Sequence, residues 1–490
     1  MITSLKELNE HKLRDMFARS QDVRIESVMY GRPGHAHKIV LLYCQGMTHA
    51  SQINMVVLPS LQRMLEDAKI VDPGLLATNT SLLLGRIAGP DWMEQFMLRV
   101  YSGQLVLFFE SAGLLYTVNI AQPPNRTPEE SSTEVSIKGP RDSFTEDLHT
   151  NVALVRKRLL THSLCCETFS VGERSHTSVA LLYIGDVADP KLVEEVRNNL
   201  TKLKIDGLIS SGQLEEGLTG AGFTLVPLLE YIGRPDFIAD SLLRGRISLM
   251  IDGSPMALIA PANLTLILKS PEDVHFPSYY VAMERMLRIA GLIIALFFPG
   301  FYIAVTAFNF DQIPFPLLAT ISSVRLGLPT SGPMDFFLML ALFELFREAG
   351  ARLPKPVGQT VAVVGGLIVG DAAIRAGVTS PTTLVSVAIS TMAMYTLVNQ
   401  SLAGSVTLLR IVILIVSSVL GMFGFMMAFI ALALYLSTLE SFGVSYLSPV
   451  SPPSFRDLFN AIKYKTLKVA KSRPSFLNAL DDTRKRGDPS

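Results

Sequence analysis

The chain has 490 residues, and its 43 lysines and arginines are balanced by 43 aspartates and glutamates. A protein that reads nucleic acid needs a basic domain or stripe to neutralise phosphates, so this balance argues against a nucleic-acid partner. The 3 cysteines, Cys44, Cys165 and Cys166, cannot form a disulfide framework. The polar first half of the chain is therefore expected to be intracellular.

This polar half contains a repeat. The sequence "KIVLLYCQGMTHASQIN" from Lys38 resembles "SVALLYIGDVADPKLVE" from Ser178, at an offset of 140 residues. The sequence "GQLVLFFESAGLL" from Gly103 matches "GRISLMIDGSPMA" from Gly245, at an offset of 142 residues. Each copy reads as a buried strand, a helix and a hairpin. Two matches at nearly the same offset predict one α/β fold used twice.

We therefore predict two similar α/β lobes, residues 1–120 and 134–280, joined by a linker at 121–133 that is rich in Pro, Ser and Thr. Paired lobes suit a ligand-binding cleft, but they also serve as packing or partner-docking scaffolds, and the sequence leaves both roles open. His35 and His37 have a spacing compatible with metal, but no third ligand type lies near them in the sequence. No P-loop, zinc-protease helix, dinucleotide fingerprint or nucleophile elbow occurs. We expect no enzyme activity, no metal and no cofactor.

The second half reads as a polytopic α-helical membrane domain, residues 285–450, followed by a basic tail at 451–490. The run 289–308 contains twenty residues without a charge, which is the length needed to cross a bilayer. Basic residues before the first span and after the last place both termini on the cytoplasmic side, so the number of crossings is expected to be even. Four full spans are predicted at 289–308, 357–377, 381–402 and 411–436, with shorter re-entrant, interfacial or half-length helices at 314–329 and 333–350.

Charged residues interrupt this apolar half at a few places. Glu344, Arg347 and Glu348 are spaced to share one face of a helix, and three charges facing lipid would be costly. They mark either an interfacial helix or a helix that lines a hydrated path or contacts another subunit. Asp371 and Arg375 are spaced to pair. The remaining candidates for channel lining or subunit contact are Asp335 and the GxxxG pair Gly366 and Gly370.

Three separated blocks carry a resemblance to a known family. They are "EVSIKGPRDSFTEDLHTNVALVRKRL" from Glu134, "REAGARLPKPVGQTVAVVGGLIVGDAAIRAGVTSP" from Arg347 and "SFGVSYLSP" from Ser441. In this order they resemble the signature blocks of the A-subunit family of bacterial spore germinant receptors, the GerA family. The residues of the first block that match the signature are Gly139, Pro140, Arg141 and Phe144. From the sequence alone, this block reads as a capped helix start with Ser143 or Thr145 as N-cap.

The resemblance implies an integral protein of the spore inner membrane, with both termini on the core side. It implies partnership with a transporter-like B subunit and a lipoprotein C subunit, contact with membrane lipid, and a homo-oligomeric ring with an ion path that couples nutrient sensing to ion release. Two other classes remain open, a solute transporter and a non-conducting scaffold, which includes the paralogue associated with the spore dipicolinate channel. No internal repeat of the kind common in transporters is found after residue 288.

Overall fold

The computed structural model describes residues 5–30, 37–65, 82–124, 137–219, 224–353, 369–462 and 472–483. Lobe 1 contains a five-stranded sheet in the order β1-β2-β4-β5-β3, and lobe 2 a second in the order β6-β7-β9-β10-β8. The strands are β1 Val23–Tyr30, β2 His37–Cys44, β3 Leu84–Ile87, β4 Leu105–Phe109, β5 Leu114–Val118, β6 Leu164–Val171, β7 Thr177–Ile184, β8 Glu230–Ile232, β9 Ile247–Ile251 and β10 Ala257–Ala260.

The two sheets match in register as well as in order. Ile39 of β2 pairs with Phe109 of β4, and Val179 of β7 pairs with Ile251 of β9. These pairs are related by the offsets of 140 and 142 residues found in the sequence. The predicted internal repeat is therefore confirmed at the level of strand pairing.

Helices cover both faces of each sheet. The helices of lobe 1 are α1 Glu10–Met16, α2 Ala50–Gln52, α3 Leu58–Leu65 and α4 Trp92–Tyr101, and those of lobe 2 are α5 Leu148–Arg156, α6 Pro190–Lys202, α7 Ser211–Thr219, α8 Pro235–Leu243 and α9 Leu264–Ile267. Every residue of β4 and of β9 is buried. Successive residues of β4 enter different apolar clusters, Leu105 on one face and Val106 on the other. This explains why the strands read as continuous apolar runs rather than as alternating patterns.

The lobes join edge to edge beside a buried ion pair. Ser20 forms a parallel bridge with Cys166, and Gln21 N donates to Cys166 O over 2.9 Å. Under this bridge the Arg156 guanidinium from α5 binds the Asp22 carboxylate of lobe 1 through two hydrogen bonds of 2.9 and 2.8 Å. Burial raises the pKa of the neighbouring Cys44 and Cys166 thiols, and the Asp22 carboxylate raises both further. The junction between the lobes thus contains a buried ion pair, Asp22 with Arg156, next to two buried thiols.

The rest of the chain is helical. Its helices are α10 Ser278–Ile303, α11 Phe315–Arg325, α12 Gly332–Arg352, α13 Gly370–Arg375, α14 Pro381–Met394, α15 Gln400–Thr438 and α16 Phe455–Ile462, with a two-stranded ribbon of β11 Glu440–Ser441 and β12 Val444–Ser445. A π-helical turn, Ala304–Phe308, extends α10. Within the described residues, two helices are long and apolar enough to cross a membrane, Ser278–Phe308 and Gln400–Thr438.

Helix α15 folds back on itself at Gly421, whose φ of 59° and ψ of −141° interrupt the helix. A Cβ on Gly424 would lie 2.6 Å from the carbonyl oxygen of Val416, which is impossible on a straight helix. Both ends of α15 reach lobe 2. Asn399 donates to Glu230 over 2.9 Å, and Tyr435 accepts from the Leu225 N–H over 2.9 Å. The two arms therefore run away from lobe 2 and return to it.

Several predicted helix boundaries were wrong. The segment 381–402 is not one span, because α14 ends at Met394 and Asn399 caps the next helix by accepting from Leu402 N. The segment 411–436 is not a single crossing, because it contains the reversal at Gly421. The helix predicted at 333–350 is observed as α12, Gly332–Arg352, which extends one residue before and two residues beyond the predicted bounds. Most of the span predicted at 357–377 lies outside the described residues.

The C-terminal segment packs on lobe 2. Ser441 Oγ donates to Leu228 O over 2.7 Å, and Leu264 N donates to Tyr446 O over 2.8 Å. Further along the chain, Arg473 Nε donates to Leu243 O over 2.8 Å. The residues after the last apolar helix thus lie on the same side of the helical part as the lobes.

Candidate functional site

The family-signature block contacts a charged network in lobe 2. Gly139 and the neighbouring Lys138 both donate their N–H groups to Glu272 Oε2, over 3.3 and 2.9 Å. Glu272 also binds the Arg234 guanidinium, which in turn pairs with Asp236 at 2.7 Å. Pro140 is half-buried and Arg141 is exposed. Phe144 is buried in the apolar core of lobe 2, and its N–H donates to Gly233 O over 2.9 Å.

The helix that follows this block begins later than predicted. Its N-cap is Asp147, whose carboxylate accepts from Thr150 N over 2.7 Å, and not Ser143 or Thr145. Thr145 instead binds the amide side chain of Asn151. In the described residues 137–147, which precede α5, the block is therefore not helical, and it contacts the Arg234 and Glu272 network.

Glu272 stays ionised at physiological pH. Burial raises the pKa of its carboxyl, but hydrogen bonds from Arg234 and from the Lys138 backbone outweigh that effect and lower it to about 2. A lowered pKa in the folded state stabilises the fold above the ordinary glutamate range, and this stabilisation is lost as the pH falls toward 2. Between pH 5 and 8 the Glu272 carboxylate therefore keeps its charge.

The next residue connects this network to the first long apolar helix. Asp273 accepts from Arg285 Nε over 2.8 Å and from Arg288 Nη1 over 2.9 Å. Both arginines lie on α10, three residues apart and therefore on one face. A continuous set of contacts thus leads from Gly139 through Glu272 and Asp273 into α10.

The apolar core is continuous across the same junction. One cluster contains Leu182 and Phe237 of lobe 2 together with Leu296 of α10 and Ile413 of α15. The apolar core of lobe 2 is thus continuous with the core between α10 and α15.

Replacing Gly139 by Ala is expected to disrupt this junction. The added Cβ would lie 2.2 Å from Arg234 Nη2 and 2.8 Å from Glu272 Oε1, so the ion pair would have to separate. We expect a loss of about 1–3 kcal/mol, since buried polar groups would lose partners.

Gly404→Ala is the control for this prediction. Gly404 lies on α15 with open space around it, and alanine in a helix is more stable than glycine by about 0.5–1 kcal/mol. Thermal unfolding of the two purified variants measures the difference. Equal midpoints would contradict the prediction.

A second charged cluster lies among the apolar helices. On α12, Glu344 pairs with Arg347 at 2.6 Å, and its carboxylate also contacts Arg410 of α15, which is fully buried. Arg347 Nη1 additionally donates to Thr407 Oγ1 over 3.2 Å. The carboxylate thus joins two helices by lying between two arginines.

The depth of this cluster follows from helix packing. Gly300 of α10 lies against Ile413 and Ser417 of α15. Arg410 precedes Ile413 by about one turn toward lobe 2, which places it level with about residue 297 of α10. The cluster is therefore inside the uncharged run 289–308.

The other predicted site residues lie apart from this cluster. Glu348 pairs with Arg352 at 2.7 Å, and Asp371 pairs with Arg375 at 2.8 Å, both at exposed positions.

Asp335 is fully buried at the start of α12 and accepts from Ser380 N over 3.4 Å. Gly370 is buried and begins α13, whereas Gly366 lies outside the described residues. Glu348 is thus separate from the pair with which it was predicted to act.

The sequence interpretation missed the partners that complete both clusters. The residues are Arg234, Glu272, Asp273 and Arg410. Arg285 and Arg288 had been interpreted only as signals of membrane orientation. Their spacing of three residues places both side chains on one helical face, which could have predicted that they bind the same acidic side chain. Arg410 gave a weaker signal, as a lone charge at the edge of a long apolar run.

A cleft of about 540 Å³ separates the lobes beside the Asp22 and Arg156 pair. Its lining includes Gln45 of lobe 1 and His149 and Thr168 of lobe 2. This volume is within the usual range for small-molecule sites, so a ligand-binding role of the lobes stays open. Among the residues that the structure describes, no group of three metal-ligating side chains is found.

The fold and these contacts define a class: a duplicated α/β body joined by a shared core to helices long and apolar enough to span a membrane. Within this class, the chain belongs to the GerA family, because the family described as Bacillus/Clostridium GerA spore germination protein matches residues 11–476.

Two curated relatives are similar to the chain over most of its length. Spore germination protein XA of Bacillus anthracis is 39% identical, with 98% of each chain covered. Uncharacterized membrane protein YfkQ of Bacillus subtilis (strain 168) is 34% identical, with 84% of this chain and 80% of the relative covered. The solved N-terminal domain of the A subunit of the Bacillus megaterium spore germinant receptor GerK3 is 26% identical, covering 54% of this chain and 98% of that domain with a TM-score of 0.40.

Proposed function

We propose that this protein is the A-type subunit of a spore nutrient receptor that couples germinant sensing to ion release. In this proposal it spans the spore inner membrane and oligomerises around an ion path with a transporter-like B subunit and a lipoprotein C subunit. The observation that carries the proposal is the junction at Asp273. It connects the family-signature segment to two arginines of a helix that is apolar enough to cross a membrane.

The proposed topology places both termini on the core side of that membrane. It is supported by the fold-back of α15 and by the contact of Arg473 with lobe 2, since the lobes and the tail then share one side. Basic residues next to the apolar helices favour the cytoplasmic face. A cysteine introduced at Ser472 should resist labelling from the outer face of intact membranes.

The coupling role is tested by replacing Asp273 with Asn in germinating spores. The change removes the charge shared by Arg285 and Arg288, so the ionic contact between lobe 2 and α10 would be lost while their shared apolar core remains. We expect nutrient-triggered release of monovalent cations to slow by about 5 to 150-fold, the range that corresponds to allosteric coupling of about 1–3 kcal/mol.

Asp206→Asn provides the matched control. Asp206 pairs with Arg174 at 2.8 Å on the exposed surface of lobe 2, where an ion pair contributes little. Normal release in the Asp273→Asn spores at wild-type protein level would end the coupling proposal. Cation flux in liposomes holding all three subunits tests conduction separately, and absence of flux would favour a scaffold.

A further inference from the structure

Helix α16 carries two exposed aromatic side chains on one face. Phe455 and Phe459, which are spaced by one helical turn, are 74% and 63% exposed. The buried side of the helix is held by Asp457, which accepts from Ser475 N over 3.1 Å. The helix is therefore fixed to the protein on one side and presents phenylalanine on the other.

The position of α16 relative to the apolar helices is fixed by Arg285. The same guanidinium that binds Asp273 donates through Nη1 to Ala461 O over 2.7 Å, near the C-terminal end of α16. Arg285 precedes the uncharged run at Ile289 by about 6 Å along α10. The polar layer on each side of the hydrocarbon core is about 5–8 Å thick, so α16 lies at the level of that layer.

Helix α10 adds two exposed methionines at nearly the same level. Met283 and Met286 are 52% and 61% exposed, and they share a face because they are three residues apart. They precede Ile289 by about 9 and about 5 Å along the helix, at the outer edge of the layer and within it. Tyr279 is also exposed, but at about 15 Å it lies beyond this layer.

We propose that α16 is an interfacial anchor that lies in the headgroup layer of the membrane, with Phe455 and Phe459 inserted at about the level of Met283 and Met286. The proposal rests on the membrane location proposed above. The occupant of the exposed face is the lipid surface, because amphipathic helices that lie in this plane place aromatic residues on one face and are followed or flanked by basic residues. The nine residues that follow α16, 463–471, contain four lysines and no acid, which complements anionic headgroups.

Anchoring of α16 in the headgroup layer would also affect the position of lobe 2 relative to the membrane. Arg285 connects α16 to Asp273, and Asp273 is the acceptor through which lobe 2 holds α10. A helix fixed in the headgroup layer would therefore set the height of lobe 2 above the bilayer. This contact gives the membrane surface a direct connection to the coupling junction.

The test introduces a tryptophan into the full-length protein, reconstituted in vesicles of phosphatidylcholine and phosphatidylserine whose acyl chains carry bromine as a fluorescence quencher. The native Trp92 is buried in lobe 1 and serves as a constant background. For Phe455→Trp we expect the added emission to be lost most strongly when bromine is near the headgroup end of the chain. Phe459→Trp, on the same face, should behave alike and guards against a local defect in either variant.

Two matched variants separate the outcomes. Met29→Trp, at a 69% exposed site of lobe 1, should keep its emission, and Phe301→Trp, at a 45% exposed site of α10, should be quenched most by bromine near the chain terminus. If Phe301→Trp is quenched while the α16 variants resemble Met29→Trp, the anchor is wrong and the membrane location stands. Strongest quenching of the α16 variants at the chain terminus would also overturn the interfacial placement. If Phe301→Trp keeps its emission, the membrane location itself fails.

Discussion

Replacing Asp22 by Asn is expected to destabilise the contact between the lobes by about 3–5 kcal/mol, the usual cost of removing one partner from a buried ion pair. Arg156 is fully buried and would keep its charge, because a guanidinium stays protonated in proteins. Asn would not replace the negative charge of the carboxylate that binds it through two hydrogen bonds. Its remaining partners include the Leu164 carbonyl at 3.0 Å, the Thr161 carbonyl at 3.2 Å and the Tyr101 ring at 4.4 Å from the guanidinium. None of them supplies a full negative charge.

The adjacent thiols provide the measurement. Cys44 Sγ lies 3.5 Å from Asp22 Oδ2, Cys166 forms the bridge between the lobes, and both are buried, so we expect both thiols to become more reactive when the joint opens. We expect the labelling of both thiols to accelerate by a factor of about 10² to about 4 × 10³, because each 1.4 kcal/mol changes an equilibrium tenfold.

The control for this prediction is again Asp206→Asn, at an exposed ion pair of lobe 2. Its effect on thiol labelling should be negligible, because such pairs contribute about 0–1 kcal/mol. Labelling of Cys44 and Cys166 at the wild-type rate in the Asp22→Asn protein would show that the pair does not hold the lobes together.

The α/β half was predictable because its signals are local and occur twice. The Leu-Leu-Tyr triplets ending at Tyr43 and Tyr183 belong to equivalent strands, and each strand has eight residues and is largely apolar. The ion pair between Asp22 and Arg156 was not predictable, because its partners are 134 residues apart in the chain. Nothing in the spacing of either residue indicates the other.

The path of the chain through the helical half could not be predicted from the sequence. Hydropathy identifies an apolar run but not its path, and the run 411–436 contains no charge or proline to mark the reversal at Gly421. Only the two glycines, Gly421 and Gly424, indicate where backbone could approach backbone closely. The spacing of Glu344 and Arg347 predicted a shared helical face, and in the structure the two side chains form an ion pair. The spacing could not predict Arg410, because that contact joins two helices.

The strongest effect in the helical part is expected from Glu344→Gln. This change leaves Arg347 and Arg410 facing each other without their shared carboxylate, in apolar surroundings where each charge is costly. We expect a loss of about 3–5 kcal/mol, because a buried charge is left uncompensated. The measurement is the amount of folded protein recovered from membranes and its thermal midpoint in detergent.

Glu348→Gln separates this structural role from ion conduction. Glu348 lies one residue beyond Arg347 on the same helix, but it is exposed and pairs with Arg352, so its loss should cost about 0–1 kcal/mol. If Glu348 lines a cation path, this variant should assemble normally but release monovalent cations more slowly than the wild type, because carboxylates concentrate cations at a pore. Normal release at wild-type protein level would remove Glu348 from the path.

A compensating change completes the argument about Glu344. Arg410→Met alone leaves the Glu344 and Arg347 pair intact and removes an excess positive charge, so the protein should be at least as stable as wild type. Combining Arg410→Met with Glu344→Gln should recover much of the stability lost in Glu344→Gln, since one uncompensated arginine remains instead of two. If the double variant is as unstable as Glu344→Gln alone, then repulsion between the arginines is not the cause. The carboxylate would then act through its pair with Arg347 or through a contact beyond this subunit.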